Sequence, residues 1–261
     1  MIAEICGKIS KSGSNLHDRL EDKLTGDVFG NLRYVPFDKA MKKILTNAVY
    51  PRSVAEIFND IDASFWNNNI KFWPYDNDGE LDILLEFDNV IVGIEVKYMS
   101  GLSSDDGANF SEQAELRYLL EEPLNSQHQL ARESRIVADR GGGKKKVLIF
   151  IANSSSCRDI YNDTKKRCLV SKDVELGYLS WQALLNELLH LKLDNEFEGL
   201  IIEDIIKLLR KKGLDQYVNM CMDIDYIING SSYYRFNIKN QSAFCFDMNI
   251  NVKGDLYYEF R

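Results

Sequence analysis

The sequence predicts an α/β fold: a central mixed β-sheet flanked by helices, followed by a C-terminal helix and a small antiparallel β extension. Three observations carry this. The first fifty residues have helical periodicity, two adjacent strand-like runs are joined by a short turn at Asp88-Asn89, and later helical stretches alternate with the strand runs VLIFIAN and LGYLSW.

In NLHDRLEDKLTGDVFGNLRYV, Leu16, Leu20, Leu24, Val28 and Leu32 recur every four residues and define one apolar helix face. Asn15 is a natural N-cap, while Gly26 and Gly30 weaken the case for one unbroken helix. A second helix is expected over residues 37–46, ending before Pro51. The runs ASFWNNNIKFWPY, GELDILLEF and NVIVGIEVKYM then read as three strands, the last two forming a hairpin. Residues 110–138 return to a helical pattern, broken at Pro123.

RGGGKKK is a turn that feeds VLIFIAN, whose apolar, β-branched character fits a central strand buried on both faces. A basic helix over 158–167, a strand at LGYLSW and a helix over 182–191 follow. EFEGLIIEDIIKLLRKKG is amphipathic, with acids in its first turn, bases in its last and Gly213 at the C-terminal cap position. SSYYRFNIKN, AFCFDMNI and GDLYYEF read as a short antiparallel meander. The expected organisation is a main domain over 1–193 and a helix-plus-meander extension over 194–261, either appended to that domain or part of it.

Composition narrows the function classes. The chain has 261 residues, 45% hydrophobic and 28% charged, enough apolar content for a sizeable core. No segment approaches the roughly 20 apolar residues of a membrane span. The N-terminal MIAEICGKISKSGSN lacks the apolar centre of a signal peptide, so a cytoplasmic protein without membrane contact is expected. Five cysteines without a CxxC pair, and three histidines without i, i+4 pairing, argue against a disulfide framework and against zinc chemistry. A net charge of −8 argues against a general polyanion binder but leaves room for a local site built on carboxylates.

The segment DGELDILLEFDNVIVGIEVKY carries that site. Strand side chains alternate, so Glu95 and Lys97 share a face and Val96 takes the other. A turn at Asp88-Asn89 puts Asp82 roughly opposite Glu95 on the partner strand. Two hard carboxylates suit Mg²⁺ or Mn²⁺, and the backbone carbonyl of Val96 is a candidate third ligand. Lys97 suits charge neutralisation at a phosphate, or orientation of the attacking water. About one Glu-x-Lys triplet is expected by chance in a chain of this length. A second one, Glu21-Asp22-Lys23, stands in a predicted helix, where i and i+2 do not share a face. The weight of 95–97 comes from its place at the end of an apolar strand with Asp82 across the hairpin; as solvated edge charges the same residues would mean nothing.

The order helix, three-strand meander with D…ExK, helix, strand resembles the PD-(D/E)XK, or restriction-endonuclease-like, nuclease superfamily over about residues 15–192. The departure lies before the aspartate, where Glu80-Leu81-Asp82 stands in place of a Pro-Asp. The resemblance implies a restriction-endonuclease-like core with Asp82, Glu95 and Lys97 as catalytic residues. It further implies an acidic residue on the first helix, Glu21 ahead of Asp22, and a glutamine on the helix after the motif, Gln129 ahead of Gln113. The implied activity is a Mg²⁺- or Mn²⁺-dependent endonuclease acting on DNA rather than RNA, by analogy in restriction or phage defence. A double-strand cutter needs two sites on two strands, so a homodimer or larger defence complex is the matching assembly. The alternative is a nuclease-like nucleic-acid-binding or assembly subunit with little activity.

Other features weigh less. The basic runs 140–146, 165–167 and 207–212 fit phosphate contacts but are more often solvated faces. RGGGKKK lacks the phosphate-loop pattern, and Ser154-Ser155-Ser156 reads as a helix N-cap. Trp66, Phe72, Trp73 and Tyr75 suit base stacking, although strand aromatics usually pack in a core.

Overall fold

The computed structural model describes residues 16–98 and 128–215, with side chains from residue 21. These residues form an α/β fold with a five-stranded mixed sheet flanked by helices. In chain order the elements are α1 (Leu16–Leu32), α2 (Met41–Ala48), α3 (Arg52–Ile57), β1 (Ile70–Phe72), β2 (Tyr75–Asp76), β3 (Gly79–Glu80), β4 (Ile83–Glu86) and β5 (Val90–Val96). They continue with α4 (Gln129–Gly141), β6 (Lys145–Ala152), α5 (Ser154–Lys166), β7 (Val174–Ser180), α6 (Trp181–His190) and α7 (Glu196–Lys211). The sheet order is β1-β4-β5-β6-β7. The β1–β4 and β4–β5 pairs are antiparallel, and the β5–β6 and β6–β7 pairs are parallel.

Alternation along the strands divides the core into two layers. Val90, Val92, Ile94 and Val96 of β5 join Val147, Ile149 and Ile151 of β6 on one face, against α1, α2, α6 and α7. Ile91, Leu148 and Phe150 face the other way, against Leu130, Ile136 and Val137 of α4 and Cys157 of α5. Each fully buried aliphatic side chain contributes about 1.5–3 kcal/mol, so the two central strands hold the fold. β6 is buried from Val147 to Ala152, as an apolar run between two parallel neighbours should be. Ile202, Ile205 and Leu209 of α7 pack into the same core as α1. Among the described residues no helix is long and apolar enough to cross a membrane.

Several local expectations are corrected. α1 runs unbroken through Gly26 and Gly30, both buried, because packing of Leu24, Val28, Phe29 and Leu32 outweighs glycine's weak propensity. The second helix begins at Met41, after turns over 37–40, and a short α3 follows the cis Tyr50-Pro51 bond. The first strand shrinks to Ile70–Phe72, because Trp73 sits at φ 47° ahead of Pro74. The cap of α5 is Asn153, whose side chain accepts from Ser155 N, and the serines form the first turn. The C-terminal meander, Pro123 and Gln113 lie outside the described residues.

Candidate active site

The β4–β5 register pairs Ile83 with Ile94 and Leu84 with Gly93, so one step further sets Asp82 against Glu95. There β4 has ended, and the Asp82 side chain takes over from the ladder: its Oδ2 accepts from Val96 N at 2.8 Å. The Asp82 carbonyl accepts from Trp73 N at 2.9 Å, which fixes the aspartate from its other side. In a strand the N–H and C=O of one residue project to the same edge, so the Val96 carbonyl faces the side where Asp82 stands.

The end of β5 is held with similar care. Lys97 N donates to Ile151 O at 2.7 Å, and the buried Trp181 Nε1 donates to Lys97 O at 2.8 Å. The Lys97 ammonium lies 3.0 Å from Glu95 Oε1 and 3.0 Å from Glu21 Oε1. Glu21 Oε2 accepts from Tyr98 N at 2.9 Å, so α1 grips the strand end through both oxygens of one carboxylate. From α4, Gln129 Nε2 donates to Glu95 Oε1. Asp82, Glu95, Lys97, Glu21 and Gln129 thus gather around the end of β5.

Gly93 explains how α4 comes so close. A Cβ built on it would meet Val137 Cγ2 at 2.5 Å, so only glycine allows this approach. Val137, Glu133 and Gln129 recur every fourth residue along one face of α4, and Gly93 and Glu95 every second residue along β5. Val137 seated on Gly93 therefore brings Glu133 and Gln129 to Glu95. The β2–β3 hairpin ties the same helix to the Asp82 side. Arg135 donates to both oxygens of Asp78 at 3.1 and 3.0 Å, and Arg140 Nε donates to Asp76 at 2.8 Å.

Electrostatics follow from burial. Burial, reinforced by the Glu95 charge, pushes the Asp82 carboxyl well above the usual range, although the residue keeps some solvent exposure. Burial does the same to Glu95, with the neighbouring Glu133 adding to it. Burial pushes Glu133 up to about 8. For Lys97, burial alone would lower the ammonium, but the charges and hydrogen bonds of Glu95 and Glu21 outweigh it and raise it further. At neutral pH the lysine is charged, and the Glu95–Glu133 pair holds a proton.

Sequence reasoning missed Glu133 and Trp181. The i, i+4 spacing from Gln129 is the signal that could have found Glu133; a glutamate on a helix otherwise reads as solvated surface. Conversely, Glu80 is exposed, because the chain kinks between β3 and β4 and breaks the alternation that would have placed it beside Asp82. Of the second triplet, Lys23 pairs with Asp27. Within the basic run 140–146, Arg140, Lys144, Lys145 and Lys146 each pair with an acid: Asp76, Glu86, Asp60 and Asp173. Lys207 and Arg210 likewise pair with acids near the end of α7. Trp66 is core, with Nε1 donating to Val35 O at 2.9 Å, and Trp73 is buried; Tyr75 is exposed.

Asp82, Glu95 and Glu133 offer hard oxygen donors suited to a cation such as Mg²⁺ or Mn²⁺, and Glu133 Oε2 is a buried oxygen with no hydrogen-bond partner among the described residues. Yet no group of three such side chains among the described residues already stands around a common point able to hold a metal ion. Gln129 and Lys97 both contact Glu95 Oε1, and Val96 N donates to Asp82 Oδ2. A cation would have to compete with these contacts. Compared with models of known families, with curated proteins and with solved structures, the chain has no significant match.

Proposed function

We propose that the protein is a metal-dependent nuclease of the PD-(D/E)XK type, with a restriction-endonuclease-like core, hydrolysing phosphodiester bonds in DNA. The observation that carries this reading is the convergence of Asp82, Glu95 and Lys97 at the open end of an antiparallel hairpin, backed by Glu21 from α1 and Gln129 from α4. Buried structural ion pairs need one acid per base; here three carboxylates and a buried lysine share one place, a surplus of acid that a cation would balance.

In this reading Asp82, Glu95 and the Val96 carbonyl hold Mg²⁺ or Mn²⁺, which when bound supplies positive charge at the phosphate and a more acidic water. The chain's own groups do the rest. Lys97, charged and aimed by Glu21, neutralises the phosphate oxygens as negative charge builds in the transition state. Gln129 fixes the rotamer of Glu95. Val96 N holds Asp82 against rotation. A role in restriction or phage defence, a homodimer or larger defence complex, and a cytoplasmic location rest on analogy with the superfamily.

A second reading is favoured by one observation: both carboxylates of the motif are engaged within the protein, so the site suits a nuclease-like nucleic-acid-binding subunit that no longer cuts. One experiment separates the two. Supercoiled plasmid, linear duplex, single-stranded DNA and RNA are incubated with wild type, Glu95→Ala and Lys97→Ala, with Mg²⁺, Mn²⁺ or a chelator. The nuclease reading expects metal-dependent cleavage by wild type and a loss of about 100-fold or more in each variant. Undiminished cleavage by both variants would refute the site. Wild type that binds nucleic acid but neither cleaves it nor binds metal supports the second reading.

A further inference from the structure

Glu133 has no part in the mechanism proposed above, and packing does not explain it. It is 3% exposed, on the face of α4 that Gly93 admits to within contact of β5. It shares hydrogen bonds with Glu95 and Gln129. Its Oε2 finds no partner among the described residues. A buried carboxyl oxygen left without a donor destabilises the fold, and a leucine at 133 would avoid it. Such an atom beside two motif carboxylates is in place for a ligand.

We propose that Glu133 is a third carboxylate of the cation site, holding a divalent cation of the Mg²⁺ or Mn²⁺ class together with Glu95. This rests on the nuclease reading only in sharing Glu95 with it. Two carboxyl groups in hydrogen-bond contact can be bridged by one hard cation, and Glu133 Oε2 then gains the partner it lacks. Glu133 also alters what Gln129 does. Gln129 has two donor hydrogens and touches both glutamates, so it spaces the pair and keeps each carboxyl turned toward the other. The cation site is accordingly built from both layers that meet at β5: Asp82 from the hairpin, Glu95 from the strand and Glu133 from α4.

The test is a calorimetric titration of Mn²⁺ into the full-length protein, comparing wild type, Glu133→Gln, Glu95→Gln and Glu80→Gln. Glu80 is exposed and nearby in the chain, so its variant removes one negative charge at the surface. The proposal expects Glu133→Gln and Glu95→Gln each to weaken Mn²⁺ binding at least tenfold, with Glu80→Gln within about twofold of wild type. Far-ultraviolet dichroism and a melting curve in chelator verify that each variant is folded. Should Glu133→Gln fail to fold, Glu133→Asp decides: at least threefold weaker Mn²⁺ binding supports the proposal, and unchanged binding overturns it. If Glu95→Gln weakens binding while Glu133→Gln binds as wild type, Glu133 is a structural acid and the nuclease reading stands. If wild type binds no Mn²⁺, both fall.

Discussion

Replacing Glu133 with glutamine should stabilise the cation-free protein at neutral pH, by an amount the structure lets us work out. In the unfolded chain this carboxyl titrates near 4.5, and in the fold burial pushes it up to about 8. The folded state therefore prefers the neutral acid. That preference is fully expressed below pH 4.5 and is lost as the pH rises through 8, because the unfolded chain ionises freely while the fold must keep the proton. Each pH unit of that interval costs about 1.4 kcal/mol, so by pH 7 the wild type has lost about 3 kcal/mol. Glutamine is uncharged throughout, has nearly the same shape, and can donate to Glu95. Removing the neighbouring carboxylate also relieves Glu95, which adds to the effect with the same sign. Urea unfolding of both proteins in chelator, at pH 4.5, 6, 7 and 8, measures the difference. We expect near-equal stability at pH 4.5 and a gap that widens to about 3 kcal/mol at pH 7 in favour of Glu133→Gln. Parallel pH profiles for the two proteins would refute the reasoning, as would a variant less stable than wild type at pH 7.

Three further outcomes follow from the same geometry. Gly93→Ala would place a methyl 2.5 Å from Val137 Cγ2 and 3.3 Å from Leu148 Cδ1, so unfolding should show a loss of about 1–3 kcal/mol, partly recovered in Gly93→Ala with Val137→Ala. Trp181→Phe removes the donor to the Lys97 carbonyl at 2.8 Å and should destabilise by about 1–3 kcal/mol in urea unfolding; no change would mean that water replaces the indole N–H. Arg135→Ala breaks the two-point contact with Asp78 that ties the β2–β3 hairpin to α4. A double-mutant cycle with Asp78→Ala should give a coupling of about 1 kcal/mol, and a coupling near zero would remove the clamp from this account.

The arrangement of the candidate site was legible because two short-range rules fix it. Alternation put Glu95 and Lys97 on one face, and the hairpin turn put Asp82 across from Glu95; neither depends on distant packing. Glu21 and Gln129 came from a resemblance, and their side chains do meet Lys97 and Glu95. What sequence left hidden depended on tertiary contact. Glu133 carries no local mark of its burial in the sequence; it is buried because Gly93 admits α4 to the sheet. Trp181, at the start of α6, carries no local mark of its bond to Lys97 O. Glu80, two residues before Asp82, is exposed, because strand pairing stops between Glu80 and Ile83. The basic runs, which fit phosphate contacts but are more often solvated faces, are partly spoken for by acids: each described lysine and arginine of 140–146 pairs with one.

The central claim is that Asp82, Glu95 and Lys97 form one site for metal-dependent phosphodiester hydrolysis. Its most direct test is Mn²⁺-dependent nicking of supercoiled plasmid by wild type beside Asp82→Asn, which keeps the side-chain shape and an oxygen acceptor for Val96 N while removing the charge. The account predicts nicking by wild type that chelator abolishes, and at least 100-fold slower nicking by the variant with its fold intact. Equal nicking rates for the two proteins would contradict it.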